Sequence, residues 1–373
     1  MAAPTDTFVD PSINGASGAG SVGDPYGDLQ HALDTMTRDG TDGDRINIKA
    51  GTDEVLGAAI SVATYGTPTS TAPLIFEGYT ATAGDGGIGG ISGAGSYAIW
   101  ASFSIDYVSF KNLHLHNCGA ATWMLQFDNT CNVVGCELNN CSGGGIDGDF
   151  AITVMGCHFH DIGGNGVNLQ SNAECVCGNY FHNDGSNDFA KCIDTGASNS
   201  VLIAFNVISV DGTSNGIDTN QGTYVRVLHN SCYSTGTGIG IQVNIAGLGS
   251  SGTIHNNICE GWGTGFDLTG TPTTPAAVVA GNAAYDNGTE YNLSTDLLLV
   301  EDNETLGASP FDKSGSDTYA LRATYFNPVD TGNVYSPFMG MAKAKGAIQP
   351  AAGGAPSTTL NMPIIATSSL LKR

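Results

Sequence analysis

Positive charge is what this 373-residue sequence has least of: 12 Lys and Arg stand against 35 Asp and Glu, a formal net charge of −23. Nucleic acids and anionic membranes are held by basic side chains that neutralise phosphates, so neither is expected as a partner. Charged residues of both signs make up only 13% of the chain, and the charge-laced 3.6-residue pattern of a helical bundle is missing. No stretch reaches the roughly 18 consecutive apolar residues of a membrane span. The opening "MAAPTDTFVDPSINGASG" has neither a basic start nor an apolar run, which predicts no cleaved secretion signal, so that an extracellular location would be reached by lysis, by a non-classical route or as part of a particle. Neither H-E-x-x-H nor C-x-x-C occurs, so the commonest zinc motifs are excluded.

Glycine, at 53 residues, and 41% apolar residues are abundant. Together they indicate a turn-dense β fold with enough apolar surface for a core. All ten cysteines fall between Cys118 and Cys259, at positions where other repeats carry Asn, Ile or Ala. That exchange pattern is the one expected of small apolar thiols in a core, so they are expected to be free.

The stretch "VVGCELNNCSGGGIDG" at 133–148 is echoed 21 residues later by "TVMGCHFHDIGGNGVNLQ". Equivalent positions recur at Leu113, Cys136, Cys157, Asn179, Asn206, Asn230, Asn257 and Asn282, at intervals of 21 to 27 residues. Two places further on stand Leu115, Leu138, Phe159, Phe181, Ile208, Cys232, Cys259 and Ala284, with mostly polar flanks. One buried and one wet face is the period of a strand, and a 21–27-residue repeat of strands and glycine turns is a parallel β-helix, a solenoid whose coils stack like positions into ladders. The five asparagines form one such ladder inside the cylinder, their amides bonding to turn backbone and to each other. Eight coils give a rod of roughly 40 Å. A leucine-rich repeat shares the period but needs a leucine consensus and intervening helices that are missing.

Leu29, Ala32, Leu33 and Met36 recur with helical spacing behind Asp28, which predicts a short amphipathic helix covering the open end of the first coil, "RINIKAG". The expected organisation is therefore 1–43, an N-terminal segment with the capping helix; 44–297, the parallel β-helix; and 298–373, a C-terminal cap and docking tail. The tail joins "SPFMGM", "MPII" and "LL" to Lys343, Lys345, Lys372 and Arg373. A cationic, patchily apolar tail on an acidic rod is expected to dock on other virion proteins or on a second copy, in a trimer by analogy with tailspikes.

The run "TFVDPSINGASGAGSVGDPYGDLQHALDTM" followed by "INIKAG" resembles the opening of right-handed parallel β-helix proteins of the pectate-lyase-like superfamily, and the resemblance extends over about residues 7–297. The end "GAIQPAAGGA" is similar to the ends of β-helix proteins of tailed phages. The resemblance implies an all-β, right-handed fold. For function it implies a virion-associated, receptor-facing protein (tailspike, fibre or head decoration) that binds a surface glycan, or alternatively a polysaccharide hydrolase or lyase. The polygalacturonase-like signatures are missing apart from a superficial likeness in "GIDTN", and pectate-lyase-like chemistry would need Ca²⁺ and a basic residue.

Candidate site residues lie in two columns. After each glycine turn the apolar residue is followed by Asp147, Asn168, Asp194, Asp218, Gln242 and Asp267, which alternation turns outward. Asp194 and Asp218, on consecutive coils, are the expected catalytic pair: carboxylates about 5 Å apart cannot both ionise cheaply, so one becomes an acid or the two hold Ca²⁺. Lys191 is the one candidate base beside them. A solvated polar stack beside glycine turns is the plainer reading of the same column. The second column holds His116, Asn139, His160 and His182, with His114, Glu137 and His158 two residues earlier. Five imidazoles there can bind sugar hydroxyls or a transition metal, although flat neighbouring strands space ligands widely for a tetrahedral site. No cofactor is expected to be required, and Ca²⁺ is the one allowed for. Trp100, Trp123 and Trp262 are available for stacking on sugars, although single tryptophans are more often packed inside.

Overall fold

The computed structural model describes residues 4–310 apart from 14, 103–104, 120–122, 173, 184–186, 197–199, 221–223, 245–250, 270–276, 294–298 and 302. The expected docking tail therefore lies almost wholly outside the described residues. Among those described, the one helix is Leu29–Thr35 and all other regular structure is β; no helix is long and apolar enough to cross a membrane. The chain divides into two compact units, Met1–Ser171 with Phe181–Asp194, and Asn172–Tyr180 with Thr195 onward.

In the first unit the chain winds through three sheets in turn, and each strand pairs in parallel with its counterpart one coil away. The first sheet runs Thr5–Val9, Asp44–Lys49, Leu74–Tyr79, Val108–Lys111, Cys131–Val134 and Ile152–Met155. Like positions coincide across it: Ile46, Phe76, Phe110, Val133 and Val154 stand in one register and all are fully buried. Phe76 and Phe110 stack with ring centroids 5.0 Å apart. No coil can bury such a residue alone, and each gains roughly 1.5–3 kcal/mol from the coil above and below. Cys131 sits between Val108 and Ile152 in the adjacent ladder, which is why a thiol serves there as a small hydrophobe. All ten cysteines are free, and nine are buried.

The second unit repeats the winding. Ile203, Val227, Ile254 and Val279 form one ladder, and Ile208, Cys232, Cys259 and Ala284 another. The amide ladder runs alongside. Asn206 Nδ2, for instance, donates to Asn230 Oδ1 at 3.0 Å and to Val176 O at 2.9 Å. The same pattern carries the chain of amides from Asn179 to Asn303. Asn303 is a sixth rung, and the strands Leu299–Glu301 and Glu304–Thr305 carry the winding past residue 297, where the sequence spacing ends it.

What turns the chain from the first sheet to the second is a single residue with left-handed backbone. It stands just before each register position: Asn112, Gly135 and Gly156 in the first unit, and Gly178, Phe205, His229, Asn256 and Gly281 in the second. Glycine takes that conformation without a Cβ clash and asparagine tolerates it, which explains the repeated Gly and Asn at this place. Phe205 and His229 adopt it too, at φ 58° and 55°, with their rings stacked 5.2 Å apart.

At the N-terminus, Asp28 caps the helix by accepting from His31 N at 2.6 Å, and Leu29, Ala32 and Leu33 are buried, as their spacing predicts. A strand not anticipated from the sequence, Thr5–Val9, pairs with Asp44–Lys49 ahead of the expected first coil. Asp6, on that strand, meets Arg45 at 2.7 Å.

Candidate functional site

The histidine column lies on the outward face of the second sheet of the first unit. Its strands are Asp53–Val55, Gly89–Ser92, Leu113–Cys118, Glu137–Cys141 and His158–Ile162, with Phe181 and His182 following. Register sets His114, Glu137 and His158 in one row and His116, Asn139 and His160 in the next. Leu115, Leu138 and Phe159 between them point inward and are fully buried, so the flanking polar residues must face out. The imidazoles of His114 and His116 stack at 4.2 Å and those of His158 and His160 at 4.7 Å.

Polar contacts run through these rows. His114 Nε2 lies 3.1 Å from Asn139 Oδ1, and His160 Nε2 lies 3.0 Å from both Asn139 Nδ2 and Glu137 Oε1. His158 Nε2 lies 2.9 Å from His182 Nδ1. Asp53 reaches across a whole coil to place Oδ2 3.0 Å from His116 Nε2. It can do so because Gly90 stands between: a Cβ there would sit 1.8 Å from Asp53 Oδ1. Burial works against ionisation at Glu137, but the His160 bond and the surrounding imidazoles outweigh it and hold its carboxyl below the usual glutamate range. His116 is held below the usual histidine range, first by burial and then by His114.

The aspartate column lies on the third sheet. In the first unit Asp147 stands opposite Gln126 and accepts from Asn168 Nδ2 at 2.7 Å and Gln170 Nε2 at 3.3 Å. The same strand, Gly144–Phe150, ends on Phe150, which is 47% exposed. Asp128 and Asp149 are pushed above the ordinary aspartate range by burial and by neighbouring aspartates, with Asp147 acting on both. Asp194 receives Asn165 Nδ2 at 3.0 Å and Lys191 Nζ at 3.1 Å. In the second unit Asp218, Gln242, Asp267 and Asn292 stand in register, and Asp267 accepts from Gln242 at 3.3 Å and Asn292 at 2.7 Å. Asn168, Gln242 and Asn292 thus each fix a carboxylate on an adjacent coil.

Most of the expected residues fall into these two rows. Asp194 belongs to the first unit and Asp218 to the second. Trp100 and Trp262 are interior residues, 0% and 1% exposed, which removes them as sugar platforms. Sequence reasoning missed Asp53, Gln126, Gln170, Phe150 and Asn292. Gln126 and Asn292 were legible, since each follows an apolar residue on a third-sheet strand. Asp53 was not, because the irregular coil between residues 56 and 106 hides its register.

Comparison with known protein families gives no match, and none of the curated proteins matches. Among solved structures, one with a similar trace is a mannuronic acid specific polysaccharide family 6 lyase from human gut microbiota, 11% identical, covering 81% of this chain and 83% of that one at a TM-score of 0.37. The fold rests on the strand register described above, and the lyase's specificity is a property of that protein.

Proposed function

We propose that this parallel β-solenoid recognises a surface glycan along the outward face of its third sheet. The observation that carries the reading is Asp147, fixed by two amide donors from Asn168 and Gln170, on the strand that ends in solvent-exposed Phe150. Pre-set carboxylates and amides match the paired hydroxyls of a sugar, and the exposed Phe150 ring at the strand's end offers an apolar border for its C–H surface. Holding these groups by one another lowers the ordering cost of binding. With a net charge of −23, the protein favours neutral or amino-sugar glycans over uronates. Binding to a panel of neutral, amino-sugar and uronate polysaccharides tests this. Retention by a neutral or amino-sugar polymer is expected, weakened at least about tenfold in Phe150→Ala and Asp147→Ala, a loss of about 1.4 kcal/mol or more. Retention by none of them, or equal retention of the variants, would refute it.

A second reading, cleavage of the bound glycan, is favoured by Asp128 and Asp149, whose carboxyls burial and neighbouring aspartates push above the ordinary aspartate range, the direction a general acid requires. Lys191, the candidate base for an eliminating lyase, is engaged by Asp194 at 3.1 Å and would have to leave that pair to act. Asp194 in the first unit and Asp218 in the second are each proposed separately for that chemistry, with Ca²⁺ as the ion to supply in the assay. Release of reducing ends or unsaturated products, with and without Ca²⁺, separates cleavage from binding.

The finer placement, a tailspike, fibre or head decoration of a tailed phage, trimeric in the way of tailspikes, is supported by the sequence resemblance and by the cationic, apolar tail. Mass spectrometry of purified particles tests it.

A further inference from the structure

The repeated pattern H-x-H, at His114 and His116 and again at His158 and His160, has no part in the glycan reading. On a strand, residues two apart share a face, so each pair is delivered to the outside together. A carboxylate meets each pair: Glu137 occupies the register position of His158 one coil earlier, and Asp53 crosses the Gly90 coil to the other pair. In each set of three the ligand atoms all lie within 4.8 Å of one another.

The two sets differ in how well their hydrogen bonds close. His116 Nε2 and Asp53 Oδ2, 3.0 Å apart, make an ordinary donor–acceptor pair. His160 Nε2 instead lies 3.0 Å from Glu137 Oε1 and 3.0 Å from Asn139 Nδ2. A ring nitrogen bears either a proton or a lone pair, so it suits one of these neighbours and opposes the other. Turning the Asn139 amide over is one way out, with His160 Nε2–H shared between two oxygens 3.5 Å apart. A cation between His160 Nε2 and Glu137 Oε1 is the other, since both atoms then offer lone pairs to it.

We propose that Glu137, His158 and His160 bind a divalent transition-metal ion of the zinc class. Two imidazoles and a carboxylate suit Zn²⁺, Co²⁺ or Ni²⁺ and not Ca²⁺ or Mg²⁺, which demand oxygen ligands. His182, with Nδ1 2.9 Å from His158 Nε2, holds the place of the outer partner that orients a ligating ring. The rings of His158 and His160, 4.7 Å apart and inclined at 29°, must tilt toward each other to close on the ion. Both are on an outward face. The acidic surface, net −23, raises the local concentration of any cation.

The test is titration of the full-length protein with Co²⁺, followed by visible absorption, and with Zn²⁺, followed by competition with a chromogenic chelator. Wild type, Glu137→Gln, His160→Gln and His116→Gln are compared, each checked for folding by circular dichroism. About one ion per chain is expected, with affinity at least tenfold lower in Glu137→Gln and His160→Gln, unchanged in His116→Gln, and no sulfur-to-cobalt charge-transfer band. Absence of binding at micromolar ion, loss in His116→Gln instead of Glu137→Gln, or a thiolate band would each overturn the site. If His160→Gln does not fold, Glu137→Gln decides alone.

Discussion

Replacing Asn230 with alanine takes one rung from the middle of the amide ladder in the second unit. Asn230 Oδ1 accepts from the backbone N and the Nδ2 of Asn206, each at 3.0 Å, and its Nδ2 donates to Ile203 O and Asn257 Oδ1, again at 3.0 Å. The side chain is fully buried, so water does not replace these partners without opening the coil. Alanine leaves two Asn206 donors and the Ile203 carbonyl unmatched, while Asn257 Oδ1 keeps its bond from the Asn230 backbone. At roughly 1–3 kcal/mol for each orphaned group, the loss comes to about 3–6 kcal/mol after partial relaxation. Asn292→Ala, on the exposed row, should cost under about 1 kcal/mol. Urea unfolding followed by circular dichroism measures both. A loss below about 1 kcal/mol for Asn230→Ala would mean that the ladder does not hold the coils together, and that this core is stabilised by its apolar ladders alone.

Glu54 gives a pH dependence. Burial, reinforced by Asp28, pushes its carboxyl up to about 7 despite the bond from Leu29 N. The folded pKa is above the unfolded value of 4.5, so this stability is fully present below about 4.5 and is lost as pH rises to about 7, by up to about 1.4 kcal/mol per pH unit. Glu54→Gln should therefore melt higher than wild type at pH 8 and alike at pH 4; equal melting at both would refute the assignment. Gly156 turns a corner at φ 63° with open space for 4 Å around the place a Cβ would take, so Gly156→Ala should cost about 1–2 kcal/mol from backbone alone and Gly156→Asn less. Thiol titration of denatured protein without reductant should count close to ten, and a count near zero would restore disulfides.

The winding was legible because a solenoid writes its core into the sequence repeatedly. The ladder from Leu115 to Phe159 and the asparagines from Asn179 to Asn282 each recur at nearly fixed intervals, so their shared environment shows as a shared residue type. The left-handed corners were half legible: Gly135 and Gly156 announce one, whereas Phe205 and His229 adopt the same backbone without a residue type that signals it. The rows of outward polar residues were also readable from alternation. Their pairing was not, because an amide that fixes a carboxylate one coil away, as Asn168 fixes Asp147, depends on register across strands. The reach of Asp53 over Gly90 depends on a coil whose length breaks the repeat, and no local pattern marks it.

The central claim, that the third-sheet face is where a glycan is held, is tested most directly by carboxylate footprinting. The protein is labelled with a carbodiimide and an amine, with and without a saturating retained polysaccharide, and the modified residues are located by mass spectrometry. The glycan is expected to lower labelling at Asp147 and Asp149 while leaving Asp34 and Asp42, which lie far from that sheet in sequence and outside its rows, unchanged. Equal labelling of Asp147 and Asp149 with and without glycan, or protection confined to Glu137 and Asp53 on the second sheet, would contradict it.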